Sequence, residues 1–165
     1  MTLFHRLSRP SLLLVAGLGL LMASCSSKVA GNGGAITKVN PYHINTFTLS
    51  KPIADRGLSF ERDYHLYGAI TSQERADRYG DYYTIFWKVD ERDEPVTVRL
   101  EYLKRLPSPQ THVIEKEITK VKRRNVTKFA ITGKDFFTNG PVMAWRASLV
   151  RGKDVLATYN SYLWK

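Results

Sequence analysis

The chain has 165 residues, with 25 Lys plus Arg against 15 Asp plus Glu, and a single cysteine. That length holds one domain with a real hydrophobic core, and one cysteine excludes an intramolecular disulfide, a dithiol redox site and a cysteine-rich zinc site. The basic surplus favours anionic company: acidic glycolipid, wall polymer, phospholipid head groups or nucleic acid.

The first 24 residues have the three parts of a secretory signal. Arg6 and Arg9 make a positive start, Ser11 to Leu21 is an apolar run, and Met22-Ala23-Ser24 brings small residues to a cleavage point. An apolar run of about eleven residues is too short for a hydrocarbon core of about 30 Å, so it is not a permanent membrane span. Removing it leaves 23 basic against 15 acidic residues. The run Leu21-Met22-Ala23-Ser24-Cys25 resembles the lipobox of bacterial lipoproteins. The resemblance covers the first 25 residues alone. It implies cleavage before Cys25, a diacylglyceryl thioether on its sulfur, and usually a third acyl chain on the new amino group. Such chains contribute about 0.8 kcal/mol per buried CH₂, so two or three anchor stably where one binds marginally. Ser26 stands where inner-membrane retention signals commonly have Asp, which implies the outer membrane of a Gram-negative cell, facing the periplasm. Cys25 is then an anchor and not a catalyst, and the covalent lipid is the one prosthetic group expected.

Ser26 to Ala35 is small, polar and glycine-rich. With Cys25 it reads as a lipidated, flexible tether over 25–41, ahead of a β-domain over 42–165. From there the alternation of apolar and polar residues predicts strand after strand. Phe60, Tyr64, Leu66 and Ile70 share one parity, and Tyr83, Ile85, Trp87 and Val89 repeat the pattern. Between them Ser72 to Gly80 is a charged connector with one helical turn. Asp90 to Glu94 is a solvated loop, and Val96, Val98, Leu100 and Tyr102 make the cleanest strand, which Pro107 and Pro109 stop. Thr111 to Val121 reads as an edge strand, with Lys116 and Lys120 discouraging pairing between molecules. Thr127, Phe129 and Ile131 form a short strand ended by Gly133.

The last thirty residues read as a hairpin. Its apolar sets are Met143, Trp145, Ala147 and Leu149 against Val155, Ala157, Tyr159 and Leu163. A three-residue loop, Gly152 to Asp154, pairs Arg151 with Val155 and puts both sets on one face, whereas a two-residue Gly152-Lys153 turn does not. Seven or eight short strands without an amphipathic helix predict an all-β fold: an antiparallel sandwich, immunoglobulin-like in outline, with a small β-barrel as the alternative.

The chemistry is sparse. His43, His65 and His112 are the available bases once His5 leaves with the leader, and none stands in a nucleophile or metal motif, so neither an enzyme nor a metal site is expected. The strongest charge feature is Lys120, Lys122, Arg123 and Arg124, extended by Lys116 and Lys128, a candidate site for an anionic ligand. Tyr82 and Phe86 fall on the polar parity of their strand and are candidate aromatic contacts for protein or sugar. Nucleic acid is not the partner expected of an exported lipoprotein. The favoured reading is a non-catalytic envelope lipoprotein that binds another protein or assists envelope assembly. The alternatives are a binding module for anionic glycan or lipid and, last, a small envelope hydrolase.

Overall fold

The computed structural model describes residues 30–45, 55–104 and 110–165. The leader, Cys25 and the prolines at 107 and 109 lie outside the described residues. Two four-stranded antiparallel sheets face one another. Sheet A has the order β1 (Ala30–Gly31), β2 (Gly34–Ile44), β3 (Gly80–Val89) and β6 (Asn125–Thr132). Sheet B has the order β5 (Thr111–Ile118), β4 (Val96–Lys104), β7 (Val142–Arg151) and β8 (Asp154–Asn160). The fold is therefore an all-β sandwich with two separate sheets, and the closed barrel is excluded. Lettered A to G from β2 onward, strands A, B and E share one sheet and C, F and G the other, as in the constant-type immunoglobulin outline. The fourth strand departs from that outline by pairing with the third.

The core lies between the sheets, and alternation fills it. Val96, Val98, Leu100 and Tyr102 are all buried, as are Tyr83, Ile85, Trp87 and Val89. Trp87 is the largest fully buried side chain, and its indole N–H donates to the buried Thr127 hydroxyl over 2.9 Å, so the ring enters the core without an orphaned donor. Trp145 packs edge-on to Tyr83 and stacks on Tyr159. The strand β5 stands at the edge of sheet B, as its sequence predicts.

The structure corrects four expectations. The first concerns the tether: β2 begins at Gly34 and its Ile36 is fully buried, so much of the stretch read as tether belongs to the domain. Asn32-Gly33 is the turn of a β1–β2 hairpin, a strong hairpin signal that the surrounding glycines disguise. Gly31 lies so close to β8 that a Cβ there would fall 2.0 Å from the Leu156 carbonyl oxygen.

The second correction is at Phe60 to Ile70, which is not a strand. Residues Arg56–Leu66 form a helix, α1, followed by α2 (Ser72–Asp77), and a third helix, α3 (Lys134–Asn139), follows β6. Only α2 matches the helical turn expected between residues 72 and 80. The alternation at 60–70 skips Arg62 and Gly68, whereas Phe60/Tyr64 and Glu61/His65 are helical i, i+4 pairs. Asp55 caps α1 by accepting from the Leu58 N–H over 3.0 Å. Thr71 and Glu74 make a capping box at α2, and these backbone bonds, led by that from Thr71, hold the Glu74 carboxyl below its usual range.

The third correction concerns the β7–β8 turn. It has two residues, with Arg151 opposite Asp154 and Gly152 at φ 57°, the conformation glycine supplies at the first central position of such a turn. A bulge at Leu156 then restores the register that burial demands, with Leu149 opposite Ala157 and Ala147 opposite Tyr159. The fourth correction follows from it: Val155 is exposed and Leu156 is buried, and Met143 and Leu163 are exposed as well.

Candidate functional site

The helix α1 lies across the outer face of sheet A and buries none of its residues there. Polar and ring contacts hold it in place, together with Leu66, which packs against Ile44, Tyr79 and Phe136. The Tyr42 hydroxyl on β2 donates to the Leu58 carbonyl over 3.0 Å. The His65 ring stacks on Tyr82 of β3 with centroids 3.8 Å apart, and the Lys128 ammonium of β6 sits 4.8 Å from the Tyr64 ring centroid. At the C-terminal end, the Arg78 guanidinium donates to the His65 and Tyr67 carbonyls, satisfying orphaned helix acceptors.

Two adjoining clefts open between α1 and the sheet, sharing His65, Tyr82 and Thr84. The larger, about 450 Å³, runs from Tyr42 and Leu58 to Tyr82. The smaller, about 280 Å³, is walled by Tyr64, His65, Tyr82 and Phe129 and has Lys116 and Lys128 on its rim. Burial lowers the His65 pKa, Glu61 opposes that shift and Lys128 adds to it. The ring is therefore held neutral at neutral pH. Burial likewise raises the Tyr82 pKa, and that hydroxyl stays protonated and donates to the Arg78 carbonyl over 2.7 Å.

Of the six cations expected to act together, the fold brings two to this cleft. Lys116 occupies an inward-facing position of edge strand β5, opposite buried Val98, and its ammonium lies over the Phe129 ring, 5.3 Å from the centroid. It donates to the Lys128 carbonyl over 2.6 Å. Lys128 projects from the outer face of sheet A. Among the described residues neither ammonium meets a carboxylate. Lys120, Lys122, Arg123 and Arg124 stand instead on the β5–β6 connection, where Asn125 clamps Lys122 through both its N–H and its carbonyl. At about 3.3 Å per strand residue, the loop's last cation, Arg124, is about 13 Å along the strand from Lys128. The two expected aromatics also separate. Tyr82 is covered by His65 and forms the cleft floor, where an exposed contact was expected, while Phe86 lies half-buried toward the other end of β3.

Sequence reasoning missed Tyr64, His65 and Tyr42 as members of one site. The signals that could have found them are the Asp55 cap and the two i, i+4 pairs. It also missed a second polar cluster: His43 Nδ1 lies 2.8 Å from Asp81 Oδ1, Asp81 Oδ2 accepts from the Val142 N–H, and His43 Nε2 meets the Asn45 amide nitrogen at 2.9 Å. This ties β2, β3 and β7 together. His112 stacks on Tyr102 in sheet B, His43 meets Asp81 and Asn45, and His65 pairs with Glu61. Among the described residues no group of three or more His, Cys, Asp or Glu is placed to hold a metal ion. The acidic loop 90–94 is engaged by Arg151, which bonds Glu91 and pairs with Glu94.

No family model, no curated protein and no solved structure matches this chain.

Proposed function

We propose that the protein is a lipid-anchored, non-catalytic envelope protein whose sandwich binds an anionic ligand, a glycan or lipid head group bearing carboxylate or phosphate, in the cleft between α1 and the β6 edge. One observation carries the reading. Two lysines from strands of different sheets converge on a cleft whose other walls are aromatic rings and a neutral imidazole. A sugar ring can stack on the exposed Tyr64 while its acidic group meets Lys128, and the Tyr and His edges supply hydrogen-bond partners. The lipid on Cys25 would concentrate the domain at a surface where such ligands are abundant.

The test is titration of the mature protein with a uronic-acid oligosaccharide and with vesicles containing phosphatidylglycerol, at low and high salt. Binding that weakens as salt rises, and weakens again in Lys128→Gln, supports the reading. Binding indifferent to both overturns it and returns preference to a protein partner.

A further inference from the structure

From the exposed face of α1 and the segment that follows it, we infer that this surface is a membrane contact, seating Phe60, Tyr64, Tyr67 and Ile70 in the interfacial layer of the bilayer that carries the anchor. The inference rests on the proposed lipidation of Cys25. Ordinary surface helices bury an apolar stripe, but α1 buries no residue. Leu66 packs inward against Ile44, Tyr79 and Phe136, but the other large side chains point to solvent: Phe60 is 67% exposed and Tyr64 54%, and just beyond the helix Tyr67 is 85% and Ile70 84% exposed. Phe60 and Tyr64 stack on each other at 6.3 Å, forming a ready-made aromatic plate. Such a cluster within one short segment marks an interaction surface.

Two observations select lipid as the occupant. Four residues, 26–29, separate Cys25 from the first strand at Ala30, which limits the anchor's reach to about 17 Å of extended chain. A domain tied so closely stays within reach of that surface, and because β1 pairs with the start of β2 while α1 lies over Tyr42 and Tyr82 toward its other end, contact through α1 sets the strands of sheet A along the bilayer. The second is charge. Lys128 stands beside Tyr64, with Lys116 behind it, so cations border the aromatic plate as they do where amphipathic segments meet anionic head groups. Aromatic side chains favour that layer because they present an apolar body and, in Tyr, a polar tip. Seated this way, the cleft beneath α1 opens at head-group level, so its ligand would be a lipid head group or a glycolipid sugar.

The experiment uses the mature acylated protein in vesicles of phosphatidylcholine and phosphatidylglycerol, some carrying a head-group nitroxide. The Cys25 sulfur is blocked as a thioether, so a fluorophore can be placed at Tyr67→Cys or, on the outer face of the opposite sheet, at Glu117→Cys. The inference expects quenching at Tyr67→Cys to exceed that at Glu117→Cys by about threefold or more. Equal quenching with Cys25 acylated overturns the membrane contact alone. A Cys25 peptide of unmodified mass overturns it together with the anchor on which it rests. Disulfide crosslinking between Tyr67→Cys copies without quenching overturns it in favour of a second copy as the occupant.

Discussion

The Lys116 ammonium donates to the Lys128 carbonyl over 2.6 Å, and this single bond joins the edge strand of one sheet to the edge strand of the other. A sandwich is open along such a flank, and both strands offer unpaired backbone groups there. Lys116 occupies an inward-facing position where sheet interiors ordinarily place an apolar residue. Its ammonium covers the Phe129 ring and lines the smaller cleft.

Substituting Lys116 with Ala removes that bond and the cover over Phe129. The expected loss is about 1.5 kcal/mol, since hydrogen bonds to charged groups contribute more than neutral ones. The uncovered edge is also expected to self-associate. Urea denaturation and size-exclusion chromatography measure the two effects. An unchanged midpoint with a strictly monomeric profile would contradict this role.

Lys104 is fully buried at the end of β4, where it pairs with Asp135 of α3 at 2.6 Å and donates to the Asp135 carbonyl at 3.0 Å. Burial works to raise the Asp135 pKa, but bonds from Lys104 and Asn139 outweigh it and hold the carboxyl low. Asp135→Asn leaves a buried ammonium without its counter-charge and is expected to cost about 3 kcal/mol, whereas Lys104→Met replaces the charge with an apolar chain and is expected to cost less. Because the folded carboxyl is depressed, its stabilisation is present above the ordinary Asp range and fades as pH falls through the folded value. Equilibrium unfolding of both variants checks the ordering.

The strands were legible because half-buried sheets impose a two-residue period, and Val96 to Tyr102 and Tyr83 to Val89 obey it without exception. The body of the β7–β8 register was legible for the same reason, while its turn was not, since a bulge at Leu156 allowed a two-residue turn to satisfy the same burial. The helix α1 escaped because it has no buried apolar stripe to read: stacking, caps, the Arg78 guanidinium and the half-buried Leu66 hold it instead. Nor could the cleft be read in order along the chain. Lys116, Lys128, His65 and Tyr82 are brought together by two sheet edges and a helix laid across them, and a run such as Lys120 to Arg124 is conspicuous in sequence yet ends on a loop.

The stacked His65 ring makes α1 sensitive to acid. Burial lowers its folded pKa below the ordinary 6.5, so between those values the unfolded chain binds more protons than the folded one. Stability therefore rises with pH through that window and is lost on acidification. Thermal melts from about pH 5 to about pH 8 are expected to show this slope in the natural protein and a shallower one in His65→Gln. Equal slopes would contradict it.

Gly31 marks where β1 and β8 touch. A methyl group there would meet the Leu156 carbonyl, a backbone atom that cannot turn aside. Gly31→Ala is expected to displace β1 and raise hydrogen exchange at Ala35 and Leu156 without unfolding the sheets. Unaltered exchange at both sites would mean that the contact is dispensable.

The central claim is that an anionic ligand enters the cleft beneath α1. Chemical-shift mapping of the isotope-labelled mature protein with a uronic-acid oligosaccharide or phosphatidylglycerol tests it most directly. The account predicts the largest shifts at Tyr64, His65, Tyr82 and Lys128. Shifts confined to Lys120, Lys122, Arg123 and Arg124, with the cleft unchanged, would contradict it.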